Sequence, residues 1–508
     1  MKVISKIPVK LVKSLPPILL TVLLITLQLL TPNGFGDPDG WYHLGIAKLY
    51  LAGQVSAHFP WLQGTILKDT FFDQQYLYHL LLSLHPTPVW AKIITILVAL
   101  GLFAVLAGIL RTQRVIGAVW WSLFCFFATG SFLFRTNLVK GSMIGVLLFF
   151  CIELALLSKK YWLLLPIAAA WVLSHGSFVL SLPLVLSYIV IVKTARPDAI
   201  RILLYTGAGL CIGYIFHPQH AALLPYFYTQ LAVPFTGKHA ARVGSEWYAY
   251  DFINLVKFTS PLLYIWITAL VWWLTETVFP KVKLTKLRTA NTWLWLISIS
   301  WFCLFLSSKR FVEYWVPAST LPIAILISPY IGKMNKTQVV HLLKTSWQVA
   351  VGAIALLGCV GVVTWYNTHV TVLDLKNTAR ADKYKGASEW LAHNTSQGDI
   401  VFNTRWDHFP ELFYWNQHNY YIVGLDPLFM YNYNSNLYEK WLAITNEGRT
   451  NWNYTTVETA IQADFHAHYV FIENAKNPQL INYFAEQTVL GYNQQVYSDG
   501  HNSIFKIY

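Results

Sequence analysis

The stretch GFGDPDGWYHLGIAK, residues 34–48, places two carboxylates and a histidine directly after an apolar run. Asp37 precedes Pro38, an order typical of a helix N-cap followed by proline, so its carboxylate is expected to accept backbone amides. Asp39 lies one residue inside that helix and is not needed for the cap. Its carboxylate is therefore a candidate general base; the alternative is a first-turn acid that only favours the helix dipole.

A second acid, Asp73, lies in TFFDQQYLYHLLLSLHPTP. On a helix, Asp73, Tyr76 and Leu80 share one face. A lone acid among aromatic, half-buried side chains is costly unless it is paired or solvated, which makes Asp73 a second catalytic candidate. His79 falls off that face, and we assign it to packing.

Two basic residues in SSKRFVEYW, Lys309 and Arg310, are candidates for binding a phosphate, because arginine can hold a phosphate with two parallel hydrogen bonds. The alternative for Arg310 is an ion pair with Glu313, three residues later on a helix. Arg135 and Lys140 in ATGSFLFRTNLVKG are reserve phosphate ligands, or they extend to lipid head groups instead.

Aromatic and acidic residues alternate in GSEWYAYDF. Its Glu246 and Trp247 suit contact with a sugar, and they equally suit an interfacial aromatic belt. The histidines of HPQH and SHGSF, His217, His220 and His175, lack carboxylates at matched spacing. We therefore expect them to be hydrogen-bonded or interfacial side chains rather than metal ligands.

The chain that carries these residues has the composition of a membrane protein, since 55% of its 508 residues are hydrophobic and 12% are charged. A hydrocarbon core of about 30 Å needs about 20 apolar residues per helix. We find eleven such runs, several of them short, at residues 16–31, 89–110, 115–130, 138–157, 161–174, 177–192, 202–217, 259–279, 290–306, 312–332 and 346–366. The first is expected to be a retained helix rather than a cleaved signal peptide, since LQLLTPNGFG has no small-x-small cleavage site.

The charges of alternate loops predict the orientation of these spans. With the N-terminus in the cytoplasm, the inner segments hold most of the Lys and Arg and one clear acid, Asp198, whereas nearly every acid of the membrane region faces out. The net charge of +13 then follows from topology and does not indicate a nucleic-acid partner.

The composition changes near Tyr366 and predicts a membrane region, 1–366, followed by an extracytoplasmic α/β domain, 367–508. GDIVFN, YYIVGL and HYVFIE are β-rich, NLYEKWLAI and TTVETAIQA are helical, and QQVYSDGHNSIFKIY is typical of a hairpin with an Asp-Gly turn. The outer segments 32–88 and 218–258 are, like this domain, too long for simple turns. A site at the outer face can therefore draw on all three.

The segment GDPDGWYHLGIAKLY resembles the first acidic motif of the glycosyltransferase C superfamily, in particular the oligosaccharyltransferase catalytic subunit and related bacterial polyprenyl-phosphate-sugar glycosyltransferases. The matching residues are Gly36, Asp39, Tyr42 and His43. A second likeness covers GASEWLAHNTSQGDIVFNTRWDHF. At the place where those enzymes have Trp-Trp-Asp-Tyr-Gly, this chain has Arg405, Trp406, Asp407, His408 and Phe409.

The resemblance implies a polytopic α-helical enzyme of a bacterial plasma membrane, surrounded by membrane lipids, with about eleven spans and a C-terminal extracytoplasmic α/β domain. It also implies transfer of a sugar from a polyprenyl-phosphate-linked donor to an acceptor on the outer face. Tyr42, His43, Trp406 and Asp407 are then expected to contact the acceptor or the sugar. Such transfer needs a base for the acceptor and cations that stabilise the departing phosphate.

Two departures from the superfamily pattern leave parts of this reading open. Members with a metal site carry a second acidic pair after the third span, where ATGSFLFRTNLVKG has no acid. A divalent ion, Mg²⁺ or Mn²⁺, therefore stays open, with Asp39 and Asp73 as its candidate ligands. The soluble motif lacks its first Trp and final Gly, so the acceptor stays open too. The alternatives are a transporter or lipid flippase, for which mid-span charges are expected, and a noncatalytic envelope assembly protein.

Overall fold

The computed structural model of the protein describes residues 9–32, 34–223, 226–228, 241–278, 286–333, 346–376, 382–445 and 457–508. The chain forms two compact units. The first comprises Met1–Pro32, Lys92–Ile215 and Tyr248–Asn377, and the second comprises Asn33–Ala91, Phe216–Trp247 and Thr378–Tyr508. Parts of all three predicted outer segments therefore lie in the second unit.

The first unit is built from α-helices. The helices that lie wholly or mostly in it are Val9–Leu29, Pro88–Thr112, Ala118–Phe127, Gly130–Arg135, Ser142–Leu157, Leu164–Ser174, Ser181–Ile191, Arg196–Phe216, Phe252–Thr259, Leu262–Val278, Lys286–Ser307, Val312–Lys333 and Trp347–Lys376. Large aromatic side chains fill much of its core, where Trp171, Trp293, Trp295 and Trp315 are fully buried. Because aromatic rings bury a large apolar area, they supply much of the packing energy here.

Each predicted apolar run overlaps one of these helices, but the predicted number of eleven spans is not confirmed. Among the described residues, the helices long and apolar enough to cross a membrane are Pro88–Thr112, Arg196–Phe216, Thr289–Ser307 and Lys309–Gly332. Phe252–Thr259 and Leu262–Thr277 add a fifth if this pair, which bends by 89°, is one span. The shorter apolar helices are Ser14–Leu29, Ala118–Phe127, Ser142–Leu157, Tyr161–Ser174 and Gly176–Ile191. Helices of this composition are those of an integral membrane protein.

The second unit contains a five-stranded sheet. Its strands are β1 (Ile400–Asn403), β2 (Tyr420–Tyr421), β3 (Tyr469–Glu473), β4 (Asn493–Ser498) and β5 (Asn502–Ile507), in the spatial order β2-β1-β3-β5-β4. β1 pairs in parallel with β2 and β3, and β5 pairs antiparallel with β3 and β4. The predicted strands and the hairpin are confirmed, and Gly500 of its Asp-Gly turn has the positive φ, +84°, that favours glycine.

Helices flank this sheet in the sequence. They are Lys385–Asn394, Phe409–Trp415, Pro427–Tyr433, Ser435–Thr445, Val457–Phe465 and Pro478–Val489, and the first outer segment contributes Asp39–Leu51 and Tyr76–Ser83. The predicted domain boundary at residue 366 lies inside the Trp347–Lys376 helix.

The first outer segment joins the edge of the sheet. The Gln63 N–H donates to the Tyr421 carbonyl at 2.8 Å, and the Tyr421 N–H donates to the Trp61 carbonyl at 2.9 Å. A Cβ on Gly64 would lie 2.7 Å from the Ile422 carbonyl oxygen, so only glycine allows this approach.

The Asp39–Leu51 helix packs on the Phe409–Trp415 helix. A Cβ on Gly45 would lie 2.7 Å from the Phe413 ring, and the Gln417 side chain donates to the Gly45 carbonyl at 3.0 Å. The second helix begins at the last residue of the RWDHF motif. The two segments that carry the superfamily resemblance are therefore brought together within this unit.

Candidate functional site

The helix that carries the first acidic motif begins at Asp39, directly after Pro38. Pro38 occupies the N-cap position, one residue after the predicted cap, but Oδ1 of Asp37 accepts the Asp39 N–H at 2.9 Å and so makes the expected contact with a helix-start amide. Asp39 is half-buried in the first turn. Its carboxylate is one of two predicted catalytic acids, and it keeps partial access to solvent.

Tyr42 lies close to both predicted acids. Burial raises the pKa of the Tyr42 phenol, and the negative charges of Asp73 and Asp39 raise it further. The phenol is therefore neutral at physiological pH, a hydrogen-bonding group rather than a base. The structure thus brings Asp39, Tyr42 and Asp73 into one neighbourhood, as the first motif and its outer segment predict.

Asp73 is almost completely buried, with 2% of its surface exposed, and lies in a dense hydrogen-bond network. Its Oδ2 accepts the Tyr50 hydroxyl at 2.5 Å and lies 2.6 Å from Nδ1 of His79, while Oδ1 accepts the Gln75 N–H at 3.0 Å. His79 packs among aromatic rings, as expected, but it also contacts Asp73. The helix begins at Tyr76, so Asp73 lies in the turn before it, and its carboxylate contacts His79, which the helical-face argument did not anticipate.

The charge state of Asp73 follows from these contacts. Burial alone raises the pKa of a carboxyl, but hydrogen bonds from His79, Tyr50 and Gln75, and the charge of His79 when it is protonated, hold the pKa of Asp73 below its ordinary value. The Asp73 carboxylate is therefore ionised, and burial together with the Asp73 charge raises the pKa of Tyr50.

A further hydrogen bond links His79 to the first motif. Nε2 of His79 lies 2.8 Å from Nδ1 of His43, and both imidazoles are buried. Asp73, His79 and His43 therefore form a continuous chain. His43 lies one helical turn after Asp39, on the same side of the helix.

The second outer segment holds the backbone of Asp73. Nε2 of His217 lies 3.0 Å from the Asp73 carbonyl oxygen, and the Asp73 N–H donates to Oε1 of Gln219 at 2.6 Å. His220 contacts the His217 carbonyl through Nδ1 at 3.0 Å. His217 and His220 are thus hydrogen-bonded side chains, as predicted from the missing carboxylates.

The residues around Asp39 and Asp73 do not fit the divalent ion that the resemblance left open. Both oxygens of Asp73 accept protein donors. Within the described parts of the chain, no group of three or more His, Cys, Asp or Glu side chains is arranged to hold a metal ion. A metal bound by Asp73 would have to fit beside the contacts from Tyr50, His79 and Gln75, which use three of the roughly four acceptor positions of a carboxylate.

In the first unit, Glu313, the alternative ion-pair partner considered for Arg310, forms an ion pair with Arg135. Nε of Arg135 donates to Oε1 of Glu313, both side chains are buried, and Ser142 donates to the same oxygen at 3.3 Å. The two partners of this pair are 178 residues apart in the sequence, so helical spacing did not suggest it. Arg135, a reserve phosphate ligand, is held here by a protein carboxylate.

Lys309 and Arg310 occupy a short turn before the Val312–Lys333 helix, and both are half-exposed. Nζ of Lys309 lies 5.1 Å from the centroid of the Tyr250 ring, within reach of a cation–π contact. The positive charge of Arg310 lies close enough to His175 and Tyr314 to interact electrostatically with both side chains. This turn therefore presents two cations that are more accessible than Arg135.

His175 in SHGSF is held by hydrogen bonds rather than by a metal cluster. Its Nδ1 lies 2.8 Å from Oγ of Ser177, which also accepts from Trp171 at 3.1 Å and from Tyr314 at 3.0 Å. The expectation of a hydrogen-bonded histidine is confirmed.

Two predicted sugar-contacting tryptophans come together in the second unit. Trp247 and Trp406 are half-buried and pack against the same hydrophobic core. A Cβ on Gly244 would lie 3.7 Å from the Trp406 ring and 3.9 Å from the Glu246 side chain. The second outer segment and the RWDHF motif are thus neighbours, although they are far apart in sequence.

Asp407 forms a two-pronged ion pair with Arg405, with contacts of 2.9 and 2.7 Å. The Arg405 hydrogen bonds help to hold the pKa of Asp407 below its ordinary value, against the opposing effect of burial. Both side chains are half-exposed. The Asp407 charge is therefore retained at neutral pH and faces a fixed guanidinium.

A polar cluster next to this motif was missed in the sequence. Glu473 accepts the Tyr384 hydroxyl at 2.7 Å, lies 2.8 Å from Nζ of Lys383, and has His408 at 3.4 Å. These contacts outweigh burial and lower the pKa of Glu473. Its position at the end of the buried strand β3 was the available signal, because strand ends often carry functional side chains.

The pKa of Glu411, in the helix after the motif, shifts in the opposite direction to that of Glu473. Burial raises the pKa of Glu411 to about 8, and the charges of Glu473 and Asp407 add to the shift while Lys383 opposes it. The pKa of Glu411 is therefore raised and that of Glu473 is lowered, although both carboxyls belong to one cluster.

Comparison with solved structures gives the same fold for two membrane enzymes. Archaeal oligosaccharyltransferase AglB from Archaeoglobus fulgidus, solved with an inhibitory peptide and a dolichol-phosphate, matches with a TM-score of 0.65 and 12% identity over 91% of this chain and 69% of its own. ArnT from Cupriavidus metallidurans matches in its apo state with a TM-score of 0.56 and 12% identity over 96% and 97% of the two chains. ArnT bound to undecaprenyl phosphate matches with a TM-score of 0.54 and 13% identity over the same shares.

Comparison of the sequence alone gives no such match: no protein-family model and no curated protein matches this chain. At 12–13% identity, the structural matches describe the fold. They extend over 91–96% of this chain. The expected likeness to the oligosaccharyltransferase is therefore confirmed at the level of the fold.

Proposed function

We propose that this protein is a membrane glycosyltransferase that moves a sugar from a polyprenyl-phosphate-linked donor to an acceptor on the outer face of the membrane. The observation that carries the proposal is the fold, shared over nearly the whole chain with AglB solved with dolichol-phosphate and with ArnT solved with undecaprenyl phosphate. Both are proteins whose structures were obtained with a polyprenyl phosphate.

Asp39 is the proposed base. It is half-buried at the start of a helix whose first amide is contacted by Asp37, so its own carboxylate is not required for that contact. A general base must reach the proton that it removes, and partial exposure allows this. Asp73, the second candidate, is buried with both oxygens accepting protein donors, which favours a supporting role.

Arg310 and Lys309 are the proposed phosphate ligands. A departing polyprenyl phosphate carries negative charge, and fixed cations lower the energy of the transition state in which that charge develops. Of the candidate arginines, Arg310 is half-exposed, whereas Arg135 is buried against Glu313. Arg135 is therefore the weaker candidate.

Acceptor or sugar contacts are proposed for the surface formed by Trp247 and Trp406, with Glu246 and Asp407 beside the two rings. Half-exposed indole rings offer flat apolar faces for stacking, and the carboxylates offer acceptors for hydroxyl groups. Tyr42 and His43 are proposed to contact the acceptor near Asp39.

The test is incubation of the purified protein with radiolabelled polyprenyl-phosphate sugars and with mixtures of candidate acceptors, followed by separation of the products. We expect label to leave the lipid in the presence of wild-type protein and not with Asp39→Asn. Label that never leaves any of the donors would contradict the proposal.

A further inference from the structure

His175 is the residue between the Leu164–Ser174 helix and the short 3₁₀ helix Gly176–Leu180 of the first unit. Hydrogen bonds hold one edge of its imidazole, and Nε2 at the other edge is buried with no hydrogen-bond partner in the parts of the chain that the structure describes. The positive charge of Arg310 lies close to the same ring. We propose that Nε2 of His175 donates a hydrogen bond to a phosphate oxygen of the polyprenyl-phosphate-linked lipid, beside Arg310.

The hydrogen bonds of His175 determine where its proton lies. Nδ1 accepts the Ser177 N–H at 3.1 Å, so Nδ1 carries a lone pair and no proton. Oγ of Ser177 accepts from Trp171 and from Tyr314, which leaves its own proton available for Nδ1 at 2.8 Å. A neutral imidazole has one N–H, and in His175 this N–H must be at Nε2. The buried nitrogen without a described partner is therefore a hydrogen-bond donor.

The packing around His175 keeps the ring in this orientation. A Cβ on Gly145 would lie 2.9 Å from Nδ1 of His175 and 2.7 Å from Oγ of Ser177, so the backbone at Gly145 closes this edge of the ring. Trp171 is fully buried and Tyr314 is almost fully buried, and both side chains hold Ser177. Only the Nε2 edge of the imidazole is therefore placed to meet a ligand.

The surroundings of Nε2 favour an anionic partner. A buried N–H without an acceptor is unfavourable, and the acceptor that Nε2 needs is not found among the described residues. The charge of Arg310 attracts an acceptor that is negatively charged, and Lys309 lies in the same turn as Arg310. Phosphate oxygens are anionic acceptors, and one phosphate can accept from an imidazole N–H and from a guanidinium at the same time.

The role of His175 rests on the proposed function, in which Arg310 and Lys309 bind the phosphate of the donor. His175 adds a neutral donor whose direction is fixed by packing. It keeps its proton throughout, and its hydrogen bond strengthens as negative charge develops on the departing phosphate. Because Nε2 is buried, a neighbouring side chain must move to admit the phosphate, and the long, half-exposed side chain of Arg310 is able to do so.

The test measures the binding of undecaprenyl phosphate to the full-length protein in detergent. His175→Phe keeps a planar ring but removes the N–H, so we expect the dissociation constant to rise about 10- to 100-fold, the value of a hydrogen bond to a charged group. His175→Gln, whose amide can donate, should recover part of this loss. Ser177→Ala is the matched control for packing. It keeps the backbone N–H that places the His175 proton on Nε2, so we expect a smaller loss than in His175→Phe.

Three results of these binding measurements would overturn the proposal. One is a His175→Phe protein that binds undecaprenyl phosphate as tightly as the wild type. Another is an equal loss in His175→Phe and Ser177→Ala, because this would indicate disturbed packing and not the loss of a donor. Phosphatidylglycerol is the second probe, and a loss of the same size for this phospholipid would overturn the assignment to the polyprenyl carrier.

A measurement on the wild type tests the contact even if His175→Phe does not fold. Protein with ¹⁵N-labelled histidine is saturated with undecaprenyl phosphate, and solid-state NMR measures the dipolar coupling between histidine nitrogens and phosphorus. We expect one protonated nitrogen within hydrogen-bonding range of the phosphate, and its signal should be lost in His175→Gln. Wild-type protein without such a coupling, or a coupling that persists in His175→Gln, would overturn the proposal.

Rates of sugar transfer separate this proposal from the proposed function. The expected nitrogen–phosphorus coupling in a protein that transfers no sugar supports the phosphate contact and overturns the function. Wild-type rates of transfer in His175→Phe, together with unchanged binding of undecaprenyl phosphate, overturn the contact and support the function.

Discussion

The two acids of the first outer segment have opposite surroundings. Asp73 is buried and accepts hydrogen bonds from Tyr50 and Gln75 in addition to its contact with His79, whereas Asp39 is half-buried in the first turn of a helix. A buried carboxylate that is held by several protein contacts can orient other groups but is poorly accessible to a substrate. A carboxylate with solvent access can receive a proton from one.

The same contrast appears between two arginines of the first unit. Arg135 is buried against Glu313, and Arg310 is half-exposed on a turn. A residue type that suits chemistry is therefore not sufficient, because the burial of the side chain decides whether it can meet a ligand.

The largest effect is expected at Asp39. Asp39→Asn keeps the size of the side chain but loses its proton affinity, so turnover should fall by about 100-fold or more while the protein still inserts and folds. Asp37→Asn is the control and should be milder, because Asn also caps helices well. The measurement is the rate of sugar transfer. Full activity in Asp39→Asn, with none in Asp73→Asn, would assign the base to Asp73 instead.

The next effect is expected at Arg310. Arg310→Ala should weaken donor binding or transfer by about 10- to 100-fold, the value of hydrogen bonds to a charged group. Arg310→Lys should restore only part of the loss, since lysine cannot make the two-pronged contact. Arg201→Ala, at an exposed arginine, removes the same charge as a control. Equal losses of activity in Arg310→Ala and Arg201→Ala would show that the effect comes from the net charge of the protein and not from a phosphate contact at Arg310.

A smaller effect, on stability, is expected at Asp73. Asp73→Asn weakens charged hydrogen bonds in a buried network and should lower the free energy of unfolding by about 2 kcal/mol. Asp464→Asn is the control, because Asp464 forms a half-exposed pair with Lys440 worth about 0.5 kcal/mol. Denaturant unfolding of the two variants measures the difference. Equal losses of unfolding free energy in the two variants would show that the buried contacts of Asp73 contribute no more stability than the half-exposed ion pair of Asp464.

A further effect, seen only as a pH dependence of stability, is expected from Glu411. Its pKa is raised to about 8 in the folded protein, from an ordinary value of 4.5, so the folded chain retains a proton that the unfolded chain releases. The stability contribution is fully present below pH 4.5 and is lost as the pH rises towards 8.

Glu411→Gln cannot ionise and should flatten the fall in melting temperature between pH 5 and 8. Glu439→Gln, at an exposed acid of the same unit, should leave the fall unchanged. A slope that is the same in wild type and in Glu411→Gln would show that this carboxyl is not the source of the pH dependence.

Local patterns in the sequence were enough for much of the fold. The apolar runs predicted where helices lie, and alternation with turn residues predicted β1, β2, β3 and the closing hairpin, because side-chain periodicity is a property of each segment alone. The contact of Asp37 with a helix-start amide was predicted for the same reason, since its partner is a neighbour in the chain. The number of spans could not be obtained in this way, because apolar helices such as Ala118–Phe127 are shorter than the length expected for a membrane span.

What only the tertiary structure decided are the contacts between distant segments. The pairs of Arg135 with Glu313, of His43 with His79, and of Glu473 with Lys383 join residues that no helical or strand period relates. Residue type marked both Asp39 and Asp73 as chemical candidates, whereas burial distinguishes them. The physical reason is that the pKa and the availability of a charged group depend on which atoms surround it, and packing, not sequence neighbours, supplies those atoms.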